Sequence, residues 1–435
     1  MSILYQSIHT LRRGVKRVVP FAFLGLAALI TVRAAEHWIA PQPQWPQPLQ
    51  LIGKGVNELR VALAAFGVVF VVCLGLILMS GRALAQTTDL KNLQSTIERV
   101  VAAQKLPAAG GAFVTSNGVQ SFAVAGMRKR GEQIAATSND LWHLGSNGKA
   151  MTAAMIARLV ERGAMRWSQT LAETFPELVQ EMSEPMRGIT IEQLLSHRAG
   201  LDANFDLRRY VGRKDLNAAR VDVLKDAIRK GLSNTPGEKF LYSNWGYTIA
   251  SAMAERATGK TFENLMREEV FAPLSIKSAG FQGTGTPGKI NQPWPHTSNG
   301  KPAPENGPDM DNVPTMAAAG TIHMTLPDYA IFIAEILKAA QGKSVWLKRE
   351  SVESLLQPRG DNYALGWLVP ERGWAGGRAM HHGGDNTMNF AVVWGSPKRD
   401  FAAIFVTNQS GANRAGDEFV TAVITAASQT GSERR

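Results

Sequence analysis

Ser146-Asn147-Gly148-Lys149 stands between a short apolar run (Leu141, Trp142, Leu144) and a long helical pattern, Ala150-Met-Thr-Ala-Ala-Met-Ile-Ala-Arg-Leu-Val-Glu-Arg-Gly163. A serine at the start of a helix has its hydroxyl near the positive end of the helix dipole. A lysine three residues later shares its face, so the amine reaches the hydroxyl. These are the minimum parts of a serine nucleophile with a lysine base. Alone, such a serine reads more simply as a helix N-cap. The chain itself shows how little four letters carry. Ser298-Asn299-Gly300-Lys301 repeats them within Pro293 to Pro308, where prolines and glycines exclude a helix. Ser298 is read as a surface turn, and Ser146 as the candidate if partners exist elsewhere.

Two partner motifs follow. Tyr242-Ser243-Asn244 comes after the turn Thr235-Pro-Gly-Glu-Lys239 and opens a helical pattern from Trp245 to Thr258. A buried tyrosine hydroxyl beside a lysine can relay a proton, and an asparagine can orient the lysine or hold a substrate amide. The second motif is His382-Gly383-Gly384, on a strand that runs to a bend, where glycines let a substrate lie close to the strand edge. Neighbouring strand residues face opposite ways, so only one of His381 and His382 can face a cleft. His382 is chosen.

In this order the motifs resemble those of the class C β-lactamase family and its penicillin-binding relatives: Ser-x-x-Lys, Tyr-x-Asn, then Lys/His-x-Gly. Leu194-Leu-Ser-His-Arg-Ala-Gly-Leu201, Pro236 to Tyr247, Phe271-Ala-Pro-Leu274, Ala364-Leu-Gly-Trp367 and Thr407-Asn-Gln409 match further landmarks. The likeness runs from about residue 90 to about residue 428. It implies a two-lobed α+β fold, an acyl-enzyme on Ser146 with Lys149 as base and Tyr242 as proton relay, and Asn244 holding Lys149 or the substrate. It also implies an oxyanion hole from the N–H groups of Ser146 and Asp385, and a substrate strand carrying His382 and Gly384. The chain departs from the family's efficient β-lactamases in having histidine where they carry lysine. Glycine at 148, in the first helical turn, is also unusual, and fits the close approach of another segment.

A histidine near its unperturbed pKa of about 6.5 is mostly neutral at pH 7. That favours esters, amides or small peptides over substrates with a carboxylate. The alternatives are a D-Ala-D-Ala carboxypeptidase, a class C-like β-lactamase, or a membrane-tethered binding protein for wall fragments without turnover.

Composition narrows the partners. The net charge is +11, of which residues 1–85 supply +6 from eight basic and two acidic residues. The remaining +5 over 350 residues needs no nucleic acid to explain it. The single cysteine, Cys73, lies outside the catalytic region, and the histidines do not cluster at ligand spacing, so neither metal nor cofactor is expected.

Val61 to Ser80 is twenty uncharged residues, long enough to span a bilayer, and Ala83 and Ala85 resemble a signal-peptidase site. A cleaved signal or a retained anchor at 56–85 fits, giving an exported domain at 86–435. Residues 1–55 form no domain and fit a mis-assigned start. A hairpin of two spans within 18–80 would instead leave the domain cytoplasmic.

Within 86–435, helices are expected at 89–105, from Ser146, at Ile191 to His197, Val221 to Lys230, Phe262 to Val270, Pro327 to Ala340 and Asp417 to Ser428. Strands are expected at Gly111 to Thr115, Gln120 to Gly126, near Leu141, Tyr363 to Val369, Ala379 to His382, and in a hairpin Phe390–Trp394/Phe401–Thr407. First and last strands must share one antiparallel sheet, because neither set alone makes a stable core. The result is a sheet flanked by N- and C-terminal helices with an inserted, mainly helical lobe.

Overall fold

Gly110 and Gly111 let helices cover both faces of the central sheet. A Cβ at Gly111 would overlap the Phe419 ring, and one at Gly110 would press on Leu326 from the other side. A computed structural model describes residues 88–304 and 310–432. The expectations for 1–55, 56–85 and the span 61–80 lie outside them.

In chain order the strands are β1 (Ala108–Thr115), β2 (Gly118–Gly126), β3 (Leu141–His143), β4 (Gly280–Phe281), β5 (Ile322–Thr325), β6 (Glu371–Arg372), β7 (Gly377–Arg378), β8 (Met380–Asp385), β9 (Phe390–Ser396) and β10 (Phe401–Thr407). The main sheet has the order β2-β1-β10-β9-β8. The first and last strands do share it, β1 pairing antiparallel with β10. The longer helices, with the short α5 that borders the site, are α1 (Gln94–Gln104), α2 (Gly148–Glu161), α3 (Leu216–Lys230), α4 (Asn244–Thr258), α5 (Ala317–Gly320), α6 (Leu326–Ala340), α7 (Arg349–Leu356) and α8 (Asn413–Ser432). α1 and α8 pack on one face of the sheet, where Phe405 meets Phe419. α6 and the helical lobe cover the other face. Every residue of β10 is buried, as a strand covered on both sides requires. The architecture is the expected α+β one. Met151, Met155 and Met165 are core residues.

Two elements differ from expectation. Tyr363 to Val369 is not a strand. Asp361, Asn362 and Gly366 all have positive φ, which no regular strand allows, and only isolated bridges form at Tyr363 and Leu368. The helix at Ile191 stops at Leu195, and His197 turns out of it at φ 60°. No helix among the described residues is long and apolar enough to cross a membrane.

Candidate active site

Ser146 sits on a tight 3-10 turn, Gly145–Asn147, that runs directly into α2. Gly145 has φ +53°, and a Cβ on it would lie 2.9 Å from the amide nitrogen of Asp385. A glycine is needed there twice over, for the turn and for the approach of β8. Asn147 is fully buried and clamps the turn. Its Nδ2 donates to the carbonyls of Leu144 (3.1 Å) and Ala391 (3.0 Å), and its Oδ1 accepts from Tyr329 (3.0 Å). Gly148 packs on Ile322, so the close approach expected there is real.

The serine, lysine, tyrosine and asparagine converge. Lys149 Nζ is 3.0 Å from Ser146 Oγ and donates to Asn244 Oδ1 (2.7 Å) and to the Ala319 carbonyl at the end of α5 (2.6 Å). With two N–H groups held by carbonyl oxygens, the remaining position of the amine points at the nucleophile. Lys149 is completely buried, and desolvation pushes its pKa well below the ordinary value. A depressed pKa favours the neutral amine, the form that can accept a proton. Tyr242 donates to the same Oγ at 2.8 Å; burial raises its pKa to about 12, against the smaller opposing effect of that bond.

The Tyr242 motif is fixed by local chemistry. Ser243 caps α4 by accepting from Gly246 N–H, and Gly246 lets α4 touch the Leu194 carbonyl. His197 lies under the Tyr242 ring (centroids 4.3 Å apart), and its Nδ1 accepts the Ser243 N–H (3.0 Å). Burial, then the neighbouring Lys149, drives the pKa of His197 well down.

β8 supplies the other wall. His381 exchanges both backbone bonds with Leu368, on the side away from β9. Backbone direction alternates along a strand, so Asp385 N–H also points off the sheet edge. Ser146, in the first turn of its helix, has no intrahelical acceptor for its own N–H. Two donors thus flank the nucleophile. The Asp385 carboxylate faces elsewhere, accepting from Thr387 N–H, Ser410 Oγ and Gly411 N–H.

His382 is the histidine that turns toward Lys149, whereas His381 stacks on Trp394 at 3.9 Å. His382 is 3 % exposed, with Nδ1 against the Gly383 carbonyl (2.8 Å) and Nε2 against the Tyr363 hydroxyl (3.1 Å). Both nitrogens are occupied, and burial followed by the Lys149 charge lowers its pKa to about 3. Ser298–Lys301 is a turn with Gly300 at φ +76°. Among the described residues no group of three or more acidic, cysteine or histidine side chains could hold a metal.

Sequence reasoning missed Ala319 and Tyr363. Only Tyr363 carried a signal, as the residue before Ala364-Leu-Gly-Trp367.

Residues 93–426 match the family model described as Beta-lactamase. The chain is 26% identical over 304 residues to a penicillin-binding protein 4 from Amycolatopsis lactamdurans, covering 65% of this chain and 76% of that one. It is 28% identical over 213 residues to an unguisins hydrolase from Aspergillus campestris (47% of this chain, 39% of that one). It is 30% identical over 156 residues to an acyltransferase from Monascus pilosus, covering 32% and 37%. Among solved structures it resembles the octameric penicillin-binding protein homologue from Pyrococcus abyssi (TM-score 0.62, 18% identity, 76% of each chain). SurE with D-Leu is similar to the same degree (TM-score 0.62, 20% identity, 76% and 74%). With a matched region that takes in every motif above, this chain belongs to the Beta-lactamase family.

Proposed function

We propose that the protein is a serine hydrolase that forms an acyl-enzyme on Ser146 with uncharged esters, amides or small peptides. The observation that carries this reading is the single oxygen, Ser146 Oγ, shared between a desolvated lysine amine and a tyrosine hydroxyl. Lys149 takes the Oγ proton as Oγ bonds to the substrate carbonyl carbon. The oxyanion lies between the N–H groups of Ser146 and Asp385. The leaving alcohol or amine departs with a proton passed from Lys149 through Tyr242. Water then attacks the ester, its proton returns by the same groups, and the acid leaves with Ser146 restored.

The neutral His382 supports the substrate class. A group with a pKa of about 3 and no free nitrogen supplies no cation for a substrate carboxylate. The similarity to a penicillin-binding protein 4 favours a second reading, D-Ala-D-Ala peptide or β-lactam as substrate. The segment 56–85 supports export of the domain or its tethering to a membrane.

Hydrolysis of a short-chain chromogenic ester and a chromogenic cephalosporin, with Ser146→Ala as control, tests the proposal. Serine-dependent ester cleavage with little cephalosporin cleavage is expected. Fast cephalosporin turnover would overturn the substrate class, and full activity in Ser146→Ala would overturn the mechanism.

A further inference from the structure

We propose that Asp311 and His143 are positioning residues that hold the two oxyanion donors in register. The inference rests on the serine-hydrolase reading. His143 ends β3, two residues before the nucleophile turn. Its Nδ1 accepts the Gly145 N–H at 3.1 Å, and its Nε2 lies 2.8 Å from Asp311 Oδ2. A ring that accepts at Nδ1 carries its single proton on Nε2, so it donates to the carboxylate. The side chains are 2 % and 1 % exposed.

Gly145 N–H belongs to a first turn and has no intrahelical acceptor. His143 gives it one, and thereby sets the rotation of the turn that presents the next N–H, that of Ser146. The other oxygen of Asp311 accepts from Asn386 Nδ2 at 3.0 Å. Asn386 Oδ1 in turn accepts the N–H groups of Met388 (3.2 Å) and Asn389 (2.8 Å), closing the bend that follows Asp385. Next in the chain, Asn312 Nδ2 donates to the Gly320 carbonyl at 3.1 Å, one residue past the carbonyl that holds Lys149. Two consecutive residues therefore reach the nucleophile turn, the oxyanion strand and the end of α5.

Core packing alone does not call for this arrangement. Burying a carboxylate and an imidazole is costly, and apolar side chains of the same volume would pack there at lower cost. What the polar pair adds is angular control, and an oxyanion hole works only when its donors sit within about 0.5 Å of the required place.

The test is steady-state kinetics on the chromogenic ester with full-length His143→Ala, Asp311→Asn and Ser146→Ala. His143→Ala and Asp311→Asn are expected to lower kcat by about 10²-fold, the scale of one lost oxyanion donor, with KM little changed. Inhibition by phenylboronic acid, whose adduct on Oγ puts an anionic oxygen between the same two N–H groups, weakens in parallel. His143→Asn, with a carboxamide oxygen near the place of Nδ1, recovers part of the loss. Unchanged kcat in folded variants, a change in KM alone, or a loss that only tracks the folded fraction would overturn the proposal. So would failure of the isosteric Asp311→Asn to fold, which would make the pair structural. If Ser146→Ala is inactive while the other variants keep full rates, this inference alone fails. If Ser146→Ala is active, the hydrolase reading fails.

Discussion

Gly384 and Ser146 meet backbone to backbone. A Cβ added to Gly384 would lie 2.6 Å from the amide nitrogen of Ser146 and 2.1 Å from the carbonyl oxygen of Leu144. The strand that carries the Asp385 N–H is thus seated directly on the turn that carries the Ser146 N–H. Gly145 and Gly320 press on the same spot from the nucleophile turn and from the end of α5.

Gly384→Ala is therefore expected to push β8 off the turn. The kcat for ester hydrolysis should fall by about 10²- to 10³-fold, the range seen when an oxyanion donor is displaced. Gly383→Ala gives the contrast in stability, because a Cβ there meets nothing within 4 Å. Thermal midpoints of the two variants should diverge, with only Gly384→Ala lowered.

The acid limb of the rate profile belongs to Lys149. Burial depresses its pKa, so the rate rises with pH as the buried ammonium loses its proton. Asn244→Asp places a carboxylate where Oδ1 now lies 2.7 Å from Nζ. A nearby anion favours the ammonium, raises its pKa and moves the limb to higher pH. Profiles of kcat/KM against pH for the two proteins check the direction; a limb that stays in place would assign it to another group.

Acid stability follows from three buried histidines. His296 and His381 are held to about 4 and His382 to about 3, in each case mainly by burial. All three folded values lie below the unfolded value of about 6.5. These groups stay neutral in the folded chain while the unfolded chain takes up protons. Their contribution to stability is full above about pH 6.5 and is lost as pH falls toward 4 and 3. Each costs about 1.4 kcal/mol per pH unit within that window. Urea midpoints at pH 7, 6 and 5 should fall progressively. In His381→Gln the fall should be shallower by one proton.

Asn147→Ala should weaken the fold as well as the site. It leaves the Tyr329 hydroxyl buried without its present partner and removes a second donor from the Ala391 carbonyl, which keeps its place in the β8/β9 ladder. An orphaned buried polar group costs about 1–3 kcal/mol. Urea denaturation should register a loss in that range, about 1–3 kcal/mol; a change within error would mean that neighbouring groups re-pair.

Much of the site was readable because its logic is local. The three-residue offset of Ser146 and Lys149 is a property of any helix. Ser243 announces itself as a cap, and strand alternation forces a choice between His381 and His382. That the first and last strands share one sheet was inferable from the weakness of either set alone. The segment at Tyr363 misled because its apolar residues look like a strand while Asp361, Asn362 and Gly366 turn the chain by positive φ. Composition does not reveal a dihedral angle that two non-glycine residues adopt only under tertiary constraint.

The sequence by itself put Ser146 and Lys149 on one helix face, since the helix period fixes the neighbours of a residue within one turn, and the resemblance of its ordered motifs added Tyr242 and Asn244. Tertiary structure alone decided the rest. It brought the Ala319 carbonyl to Lys149, set Nε2 of His382 against the Tyr363 hydroxyl, and paired His143 with Asp311 across 168 positions of chain. Those contacts have no period in the sequence. They arise where separate elements are pressed together in the core, and there burial changes the chemistry of a side chain, pushing the pKa values of Lys149 and His382 down.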